Sequence, residues 1–180
     1  MDATLVQTLW FFVPAYLANM APVFVRGHLA WLDRPLDGGR MFAGQRLLGA
    51  HKTWRGVVAG TVVGALVFLG QQLLSDAGIL RGLAPVGYDT LPGWLGAALG
   101  LGTGVGDAVK SFFKRRIAIA PGEPWLGFDQ LDFMVGAWLF AAPVYAPPLG
   151  AFLLCLPIVG GGSVVVTAIA YELGMKESWI

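Results

Sequence analysis

Acidic and basic side chains cluster between two long uncharged stretches in the second half of the chain. Asp107, Lys110 and Lys114 recur at intervals of three and four residues, which places them on one face of a helix. Asp129 and Asp132 follow and are also three residues apart. Carboxylates bind hard cations through oxygen, and lysine ammonium groups neutralise phosphate charge. The cluster therefore predicts a site for a magnesium-bound polyphosphate.

The stretch that leads to Asp107 is rich in glycine, and so is the uncharged stretch before it. The glycines recur every four residues, as Gly56, Gly60 and Gly64 and as Gly96, Gly100 and Gly104. This spacing predicts close contact between two helices in lipid. The run from Gly100 to Gly106 has glycine at every second position, so its bare backbone equally suits an approach to a ligand. Both uses remain open for that run.

The composition identifies the elements that must hold these residues. Of 180 residues, 56% are hydrophobic and only 13% are charged, whereas about a quarter of the residues of a soluble domain are charged. A helix crosses the hydrocarbon core in roughly 20 residues. We therefore predict an all-α membrane protein, a single domain with five transmembrane helices. The predicted spans are 4–25, 56–75, 90–109, 128–146 and 149–171, with Pro147-Pro148 separating the last two.

Two predicted loops, 26–55 and 110–127, carry most of the basic residues. With the tail they hold eleven of the twelve Lys and Arg residues. Positive loops face the cytoplasm, so we expect the N-terminus outside and the C-terminus and the site inside. Arg26, Arg34, Arg40 and Arg46 are expected to set this topology, paired with Asp33 and Asp37. For the fourth span to be long enough, its helix should begin near Phe128.

The second loop resembles the signature of CTP-dependent phosphatidate cytidylyltransferases. That signature has Ser, two residues and Lys-Arg, then Pro-Gly, then Asp-Arg-x-Asp. The matching segments are Ser111-Phe112-Phe113-Lys114-Arg115, Pro121-Gly122 and Asp129-Gln130-Leu131-Asp132. The sequence departs from the pattern at Gln130 and at Glu123-Pro124-Trp125, where His-Gly-Gly is usual, and it lacks the usual Lys-Asp.

These departures fit a shorter archaeal relative, the CDP-archaeol synthase family, which the chain resembles over essentially its whole length. The resemblance rests on two further segments, Leu48-Gly49-Ala50-His51-Lys52-Thr53-Trp54-Arg55-Gly56 and Gly106-Asp107-Ala108-Val109-Lys110-Ser111. It implies an enzyme of the cell membrane that transfers CMP from CTP to an unsaturated ether-lipid phosphate, 2,3-di-O-geranylgeranylglyceryl phosphate. No nucleic-acid or protein partner is indicated.

The resemblance also implies roles for individual residues. Asp107, Asp129 and Asp132 are expected to ligate Mg²⁺, directly or through water. The cations expected to hold the triphosphate or the leaving pyrophosphate are Lys110, Lys114, Arg115 and Arg116, of which Arg116 equally suits a topology anchor.

The remaining expected site residues lie on the first three spans or at their ends. His51, Lys52 and Arg55 are expected to receive the lipid phosphate or part of the nucleotide, or to contact lipid headgroups. Ser111 either donates to a phosphate or serves its own helix, as a cap or by a hydrogen bond back to a carbonyl. Asn19 either lines the site or bonds a carbonyl freed by Pro22. The last two of the set, Gly104 and Gly106, are expected to line the site.

Other functions explain the sequence less well. A phosphatidate cytidylyltransferase acting on ester lipid remains the main alternative. A CDP-alcohol phosphotransferase would need an Asp-Gly-x-x-Ala-Arg motif, which Asp37-Gly38-Gly39-Arg40 does not match. A transporter would show midplane charges or inverted repeats, and a scaffold would give no reason for three clustered acids.

Overall fold

The computed structural model is mostly helical and describes residues 3–120, 123, 125, 127–129 and 131–172. Pro121-Gly122, Gln130 and Lys176 lie outside the described residues. The helices within them are α1 Ala3–Phe11, α2 Val13–Phe24, α3 Trp54–Asp76, α4 Leu95–Arg116, α5 Asp132–Ala141 and α6 Leu149–Glu172. A short antiparallel hairpin, β1 Met41–Phe42 and β2 Gln45–Arg46, lies in the loop between α2 and α3.

The first uncharged stretch forms two helices with a break at Phe12, where the sequence predicts one span. Pro14 has no amide hydrogen to donate to the carbonyl of Trp10, as a continuous helix would require. Gln71 of α3 supplies the missing bond, because its Nε2 donates to the Trp10 oxygen at 2.6 Å. A buried glutamine on one helix thus satisfies a proline break in another.

We expect Gln71→Leu to destabilise the bundle, because it leaves the Trp10 carbonyl without its donor in a buried position. An unsatisfied buried group costs about 1–3 kcal/mol. Thermal unfolding in detergent measures the effect. Leu73→Ala is the control, because Leu73 lies two residues further along α3 with an exposed side chain. Equal melting temperatures for the two variants would contradict the role assigned to Gln71.

Glycines bring α3 and α4 together, as the sequence predicts. A Cβ atom on Gly64 would lie 2.5 Å from the carbonyl oxygen of Gly96 and 2.9 Å from the Cα of Gly100. A Cβ on Gly96 would in turn lie 2.6 Å from the oxygen of Gly64. The two backbones are therefore in direct contact, and the prediction of a glycine-mediated helix contact is confirmed.

The opposite face of α4 packs on α5 through a second set of glycines. A Cβ on Gly102 would lie 2.5 Å from the oxygen of Gly136, and one on Gly136 would lie 2.9 Å from the Cα of Gly106. Residues two apart on a helix are separated by roughly 200° around its axis. The alternating glycines therefore serve two faces, Gly96 and Gly100 toward α3 and Gly102 and Gly106 toward α5.

The fourth predicted span forms a shorter helix than expected. α5 begins at Asp132 rather than near Phe128, because the Asp129 carboxylate accepts the Trp125 amide and residues before the helix form turns. It ends at Ala141, two residues before Pro143, which cannot donate to a helical carbonyl. Ten residues rise about 15 Å, half the thickness of a hydrocarbon core.

The helices expose many large apolar side chains. Large apolar side chains are exposed along one side of α3, at Val58, Val62, Leu66, Leu69 and Leu73. Among the described residues, α3 is the one helix long and apolar enough to cross a membrane, and Asp132–Ala141 and Leu149–Gly162 are shorter apolar helices. The buried core draws on all six helices and on the loop before α4, and in it Phe68 lies edge-on to Tyr88.

Candidate functional site

The Nζ atom of Lys110 lies at the meeting point of the three predicted carboxylates. It is 3.0 Å from Asp107 Oδ1, 2.9 Å from Asp129 Oδ1 and 2.8 Å from Asp132 Oδ2. Asp107 lies one turn before Lys110 on α4, Asp132 is the first residue of α5, and Asp129 lies in the preceding turn. The glycine contact between α4 and α5 allows these groups to meet.

Two further lysines flank this cluster. Lys52, just before α3, pairs with Asp107 Oδ2. Lys114, one turn after Lys110, pairs with Asp129 Oδ2 at 3.1 Å and donates to the carbonyl of Glu123 at 2.5 Å. Three carboxylates are thus matched by three ammonium groups, which makes the half-buried cluster electrically balanced.

A cavity of about 790 Å³ lies beside this cluster, between α2, α3, α4 and the loop before α3. The predicted site residues that line it are Asn19, His51, Lys52, Arg55, Gly104 and Asp107. Its uncharged part includes Gly60 and Gly100, where α3 and α4 come into backbone contact. The cavity therefore combines a basic portion with a small-residue, uncharged portion.

Asp107 belongs both to the cavity and to the carboxylate cluster. It lines the cavity and contacts Lys52 on that side, and it also contacts Lys110 inside the carboxylate cluster. The predicted residues that line the cavity and those of the carboxylate cluster therefore share one carboxylate. A polyanion in the cavity would lie next to the cluster.

The loop before α3 is ordered around the buried carboxylate of Asp37. Asp37 Oδ1 accepts hydrogen bonds from the Gly39 amide and from Arg46 Nη2 at 2.6 Å, and Oδ2 accepts from the amides of Leu48 and Gly49. The expected pairing of Asp37 with an arginine is confirmed. Burial alone would raise the pKa of Asp37, but these hydrogen bonds outweigh burial and hold the pKa well below its ordinary value.

This depressed pKa predicts a pH-dependent contribution to stability. The contribution is complete above about pH 4, the ordinary pKa range of aspartate, and is lost progressively as the pH falls further. We expect the melting temperature of wild type to exceed that of Asp37→Asn by a few degrees at pH 7, and the difference to shrink below pH 4. A difference that stays constant with pH would contradict this role.

Three other predicted residues lie near the C-terminal end of α4. Arg115 is buried and donates to the carbonyl of Ala120 at 3.2 Å, while its Nε has no hydrogen-bond partner in the described part of the chain. Ser111 is buried on the same helix. Arg116 points elsewhere, because its guanidinium donates to the carbonyls of Phe42 and Arg46 in the hairpin.

The structure also distinguishes the roles of Gly104, Gly106 and Asn19. Gly106 packs against the backbone of Asp132, so it serves the helix contact, whereas Gly104 lines the cavity beside Val57. Asn19 lines the cavity and makes no side-chain hydrogen bond within the described residues. It therefore does not satisfy the carbonyl that Pro22, inside α2, leaves without a donor.

Sequence reasoning missed two charged residues of the cavity, Arg26 and Asp33. Asp33 pairs with Arg55, whose Nη2 lies 3.2 Å from Asp33 Oδ1, rather than with one of the earlier arginines. Arg26 follows Asn19 by seven residues, which is close to two helical turns. This seven-residue spacing is the sequence signal that could have placed Arg26 on the same side as Asn19.

The donor chemistry of the cluster fits a magnesium ion. Carboxylate oxygens are the ligands that Mg²⁺ prefers, and the oxygens of Asp107, Asp129 and Asp132 all lie within 3.0 Å of the Lys110 ammonium. No group of three or more His, Cys, Asp or Glu side chains among the described residues is arranged to hold a metal as it stands. The reason is that Lys110 occupies the point where the carboxylates meet.

Known proteins match this chain along its length. The model of the CarS-like CDP-archaeol synthase family matches residues 1–180. The CDP-archaeol synthase of Methanopyrus kandleri is 41% identical, with 94% of this chain and 90% of the relative covered. That of Thermococcus gammatolerans is 38% identical, with 94% and 92% covered.

A solved structure agrees with these sequence relatives. It is that of an intramembrane enzyme for the biosynthesis of archaeal membrane lipids, with a TM-score of 0.68, 30% identity and 92% of each chain covered. The resemblance identified from the motifs is therefore confirmed, and the chain belongs to the CDP-archaeol synthase family of CTP-dependent cytidylyltransferases.

Proposed function

We propose that the chain transfers CMP from CTP to an unsaturated archaeal ether-lipid phosphate, 2,3-di-O-geranylgeranylglyceryl phosphate, and releases pyrophosphate. The observation that carries the proposal is the position of Asp107, shared between a basic cavity and a cluster of carboxylates and lysines. Such a site can bind a polyanion and balance the charge that moves during transfer.

The reaction needs alignment and charge neutralisation more than proton transfer. An oxygen of the lipid phosphate attacks the α-phosphorus of CTP, and the bond from that phosphorus to the oxygen bridging to the β-phosphorus breaks. The electron pair of that bond leaves with pyrophosphate. Because the lipid phosphate is already an anion at neutral pH, the site requires no strong general base.

The cavity residues are proposed to bind the nucleotide and the lipid headgroup. Lys52, Arg55 and His51 lie in its basic portion, so phosphate groups bind there. Asn19 and Gly104 line the cavity without charge, so they receive an uncharged part of a substrate. The unpaired Asn19 amide offers both a donor and an acceptor.

The cluster residues are proposed to act on the departing pyrophosphate. Lys110 and Lys114 carry ammonium groups in contact with the carboxylates. Arg115 adds a buried guanidinium with an unpaired Nε, and Ser111 adds a hydroxyl on the same helix. Their positive charge stabilises the charge that develops on the leaving group.

Mg²⁺ is the proposed cofactor, held by Asp107, Asp129 and Asp132. When bound, it supplies positive charge to phosphate oxygens. The α4–α5 glycine contact keeps these three carboxylates close to one another, and Lys110 keeps their charges balanced. No other residue set in the described part of the chain brings three carboxylates together.

We propose five membrane crossings, with the N-terminus outside and the site at the cytoplasmic face. Exposed apolar side chains on α3 and on α6 support contact with lipid. The charged loop before α3 and the charged end of α4 contact each other, as expected for two loops on one side. In this arrangement α1 and α2 form one crossing, and α5 with its flanking turns forms the fourth.

Transfer of labelled CMP from CTP to the ether-lipid phosphate in detergent tests the proposal. Wild type should label the lipid only with Mg²⁺, and Asp132→Ala should lose at least a hundredfold in rate because it removes a proposed metal ligand. The ester phosphatidate tests the main alternative acceptor. A folded wild type that labels neither lipid would refute the proposal, and equal rates for Asp132→Ala and wild type would refute the metal assignment.

A further inference from the structure

Arg116, the last residue of α4, holds both strands of the hairpin. Its Nη1 donates to the carbonyl of Phe42 at 2.7 Å and its Nη2 to the carbonyl of Arg46 at 2.8 Å. The guanidinium also makes cation–π contacts with two neighbouring aromatic rings, with centroids 5.0 Å away for Phe42 and 4.9 Å for Phe112. The guanidinium thus binds two carbonyls through its forked N–H groups and also contacts aromatic rings. A lysine could not reproduce this combination of contacts.

The hairpin is connected through Asp37 to the residues of the cavity. Arg46 of β2 donates to Asp37 Oδ1 at 2.6 Å. Asp37 Oδ2 accepts from the amides of Leu48 and Gly49, each at 3.1 Å. His51 lies two residues after Gly49 and is followed by Lys52.

The same loop is fixed at its base to the start of α3. The Leu36 amide donates to the carbonyl of Lys52 at 2.7 Å, and the Trp54 amide donates to the carbonyl of Arg34 at 3.0 Å. Residues 34–54, here called the basic loop, are therefore attached to the bundle at their base by α3 and at their tip by Arg116.

We propose that Arg116 is a positioning residue for the transfer reaction, an inference that rests on the proposed function. Asp107 and Arg116 lie nine residues apart on one helix, about 13.5 Å. The basic loop contacts the helix at both places, through Lys52 at Asp107 and through the hairpin at Arg116. By holding the tip of the loop, Arg116 fixes the position along α4 at which Lys52 contacts Asp107.

Kinetics of Arg116→Ala test this role. We expect kcat/KM for CTP to fall at least tenfold, because a displacement of about 1 Å in a binding group can cost as much as a hundredfold. Arg116→Lys should recover little of the loss, since an ammonium cannot span two carbonyls as a fork. If Arg116 acted only as a topology anchor, lysine would replace it fully. Full recovery of kcat/KM in Arg116→Lys would therefore overturn the inference.

Arg40→Ala is the matched control. Arg40 belongs to the same loop and carries the same charge, but its exposed side chain makes no hydrogen bond or ion pair within the described residues. We expect its kcat/KM to equal that of wild type. A loss as large as that of Arg116→Ala would assign the effect to the charge of the loop and overturn the inference.

A double-mutant cycle separates positioning from direct contact with phosphate. Asp37 and Arg116 act on the same hairpin, so Asp37→Asn and Arg116→Ala together should cost little more than the larger single change. A direct contact between Arg116 and the triphosphate predicts that the two losses in kcat/KM multiply. Multiplied losses would overturn the inference.

Hydrogen–deuterium exchange provides a readout that needs no substrate. Amides of residues 41–49 should exchange faster in Arg116→Ala than in wild type, while amides in the middle of α3 should not change. Unchanged exchange together with unchanged kcat/KM would overturn the positioning role. A wild type without transfer activity would instead refute the proposed function and leave the exchange result standing.

Discussion

Lys110→Met is expected to reduce CMP transfer by at least a hundredfold while the protein remains folded. Lys110 is the one described residue that contacts all three carboxylates of the cluster. Its loss removes the ammonium proposed to stabilise the leaving pyrophosphate and leaves three carboxylates to repel one another at short range. Transfer of labelled CMP at saturating CTP measures the effect on kcat.

The control for this substitution is Arg34→Met, which removes one positive charge from an exposed side chain that makes no hydrogen bond or ion pair in the described part of the chain. We expect its transfer rate to match wild type. A Lys110→Met protein with normal thermal unfolding and normal kcat would contradict the catalytic role proposed for Lys110.

Gly136→Ala is expected to have the largest effect on stability. A Cβ at this position would meet backbone atoms of Gly102 and Gly106 on α4, including the Gly106 nitrogen at 2.9 Å. Backbone cannot rotate out of the way as a side chain can, so α5 would have to move away from α4. Overpacking of this kind costs about 1–3 kcal/mol or more, and it would also separate Asp132 from Lys110.

Gly70→Ala is the matched control for Gly136→Ala. Gly70 lies within α3, and a Cβ there would meet nothing within 4 Å. Alanine is the better helix former by about 1 kcal/mol, so this variant should unfold at or above the wild-type temperature. If both alanine variants unfolded at the wild-type temperature, the close α4–α5 contact would be wrong.

Local spacing in the sequence predicted the parts of the site that one helix or one helix pair determines. Asp107, Lys110 and Lys114 share a face because of helical periodicity, and glycines four residues apart brought α3 and α4 together. The signature residues Asp129 and Asp132 do meet Lys110, although only Asp132 belongs to the helix.

The features that were not predicted depend on contacts between distant residues. Pro14 indicates a possible break in the first helix, but the carbonyl that it frees, that of Trp10, accepts a hydrogen bond from Gln71, 61 residues further along the chain. For the loop between α2 and α3 the sequence predicts the pairing of Asp37 with an arginine. It does not predict the backbone hydrogen bonds that Asp37 accepts or those that Arg116 donates to the hairpin, and these give the loop a defined conformation. Hydrophobic periodicity contains no information about such polar contacts.

The most direct test of the central claim is whether CTP enters the cavity beside Asp107. Val23 lines the cavity with an exposed side chain, and Cys155 is buried, so Val23→Cys introduces an accessible thiol. We predict that CTP with Mg²⁺ slows its modification by a thiol reagent, and that Leu73→Cys on the exposed side of α3 is not protected. Equal modification rates with and without saturating CTP, in a Val23→Cys enzyme that still transfers CMP, would contradict the claim.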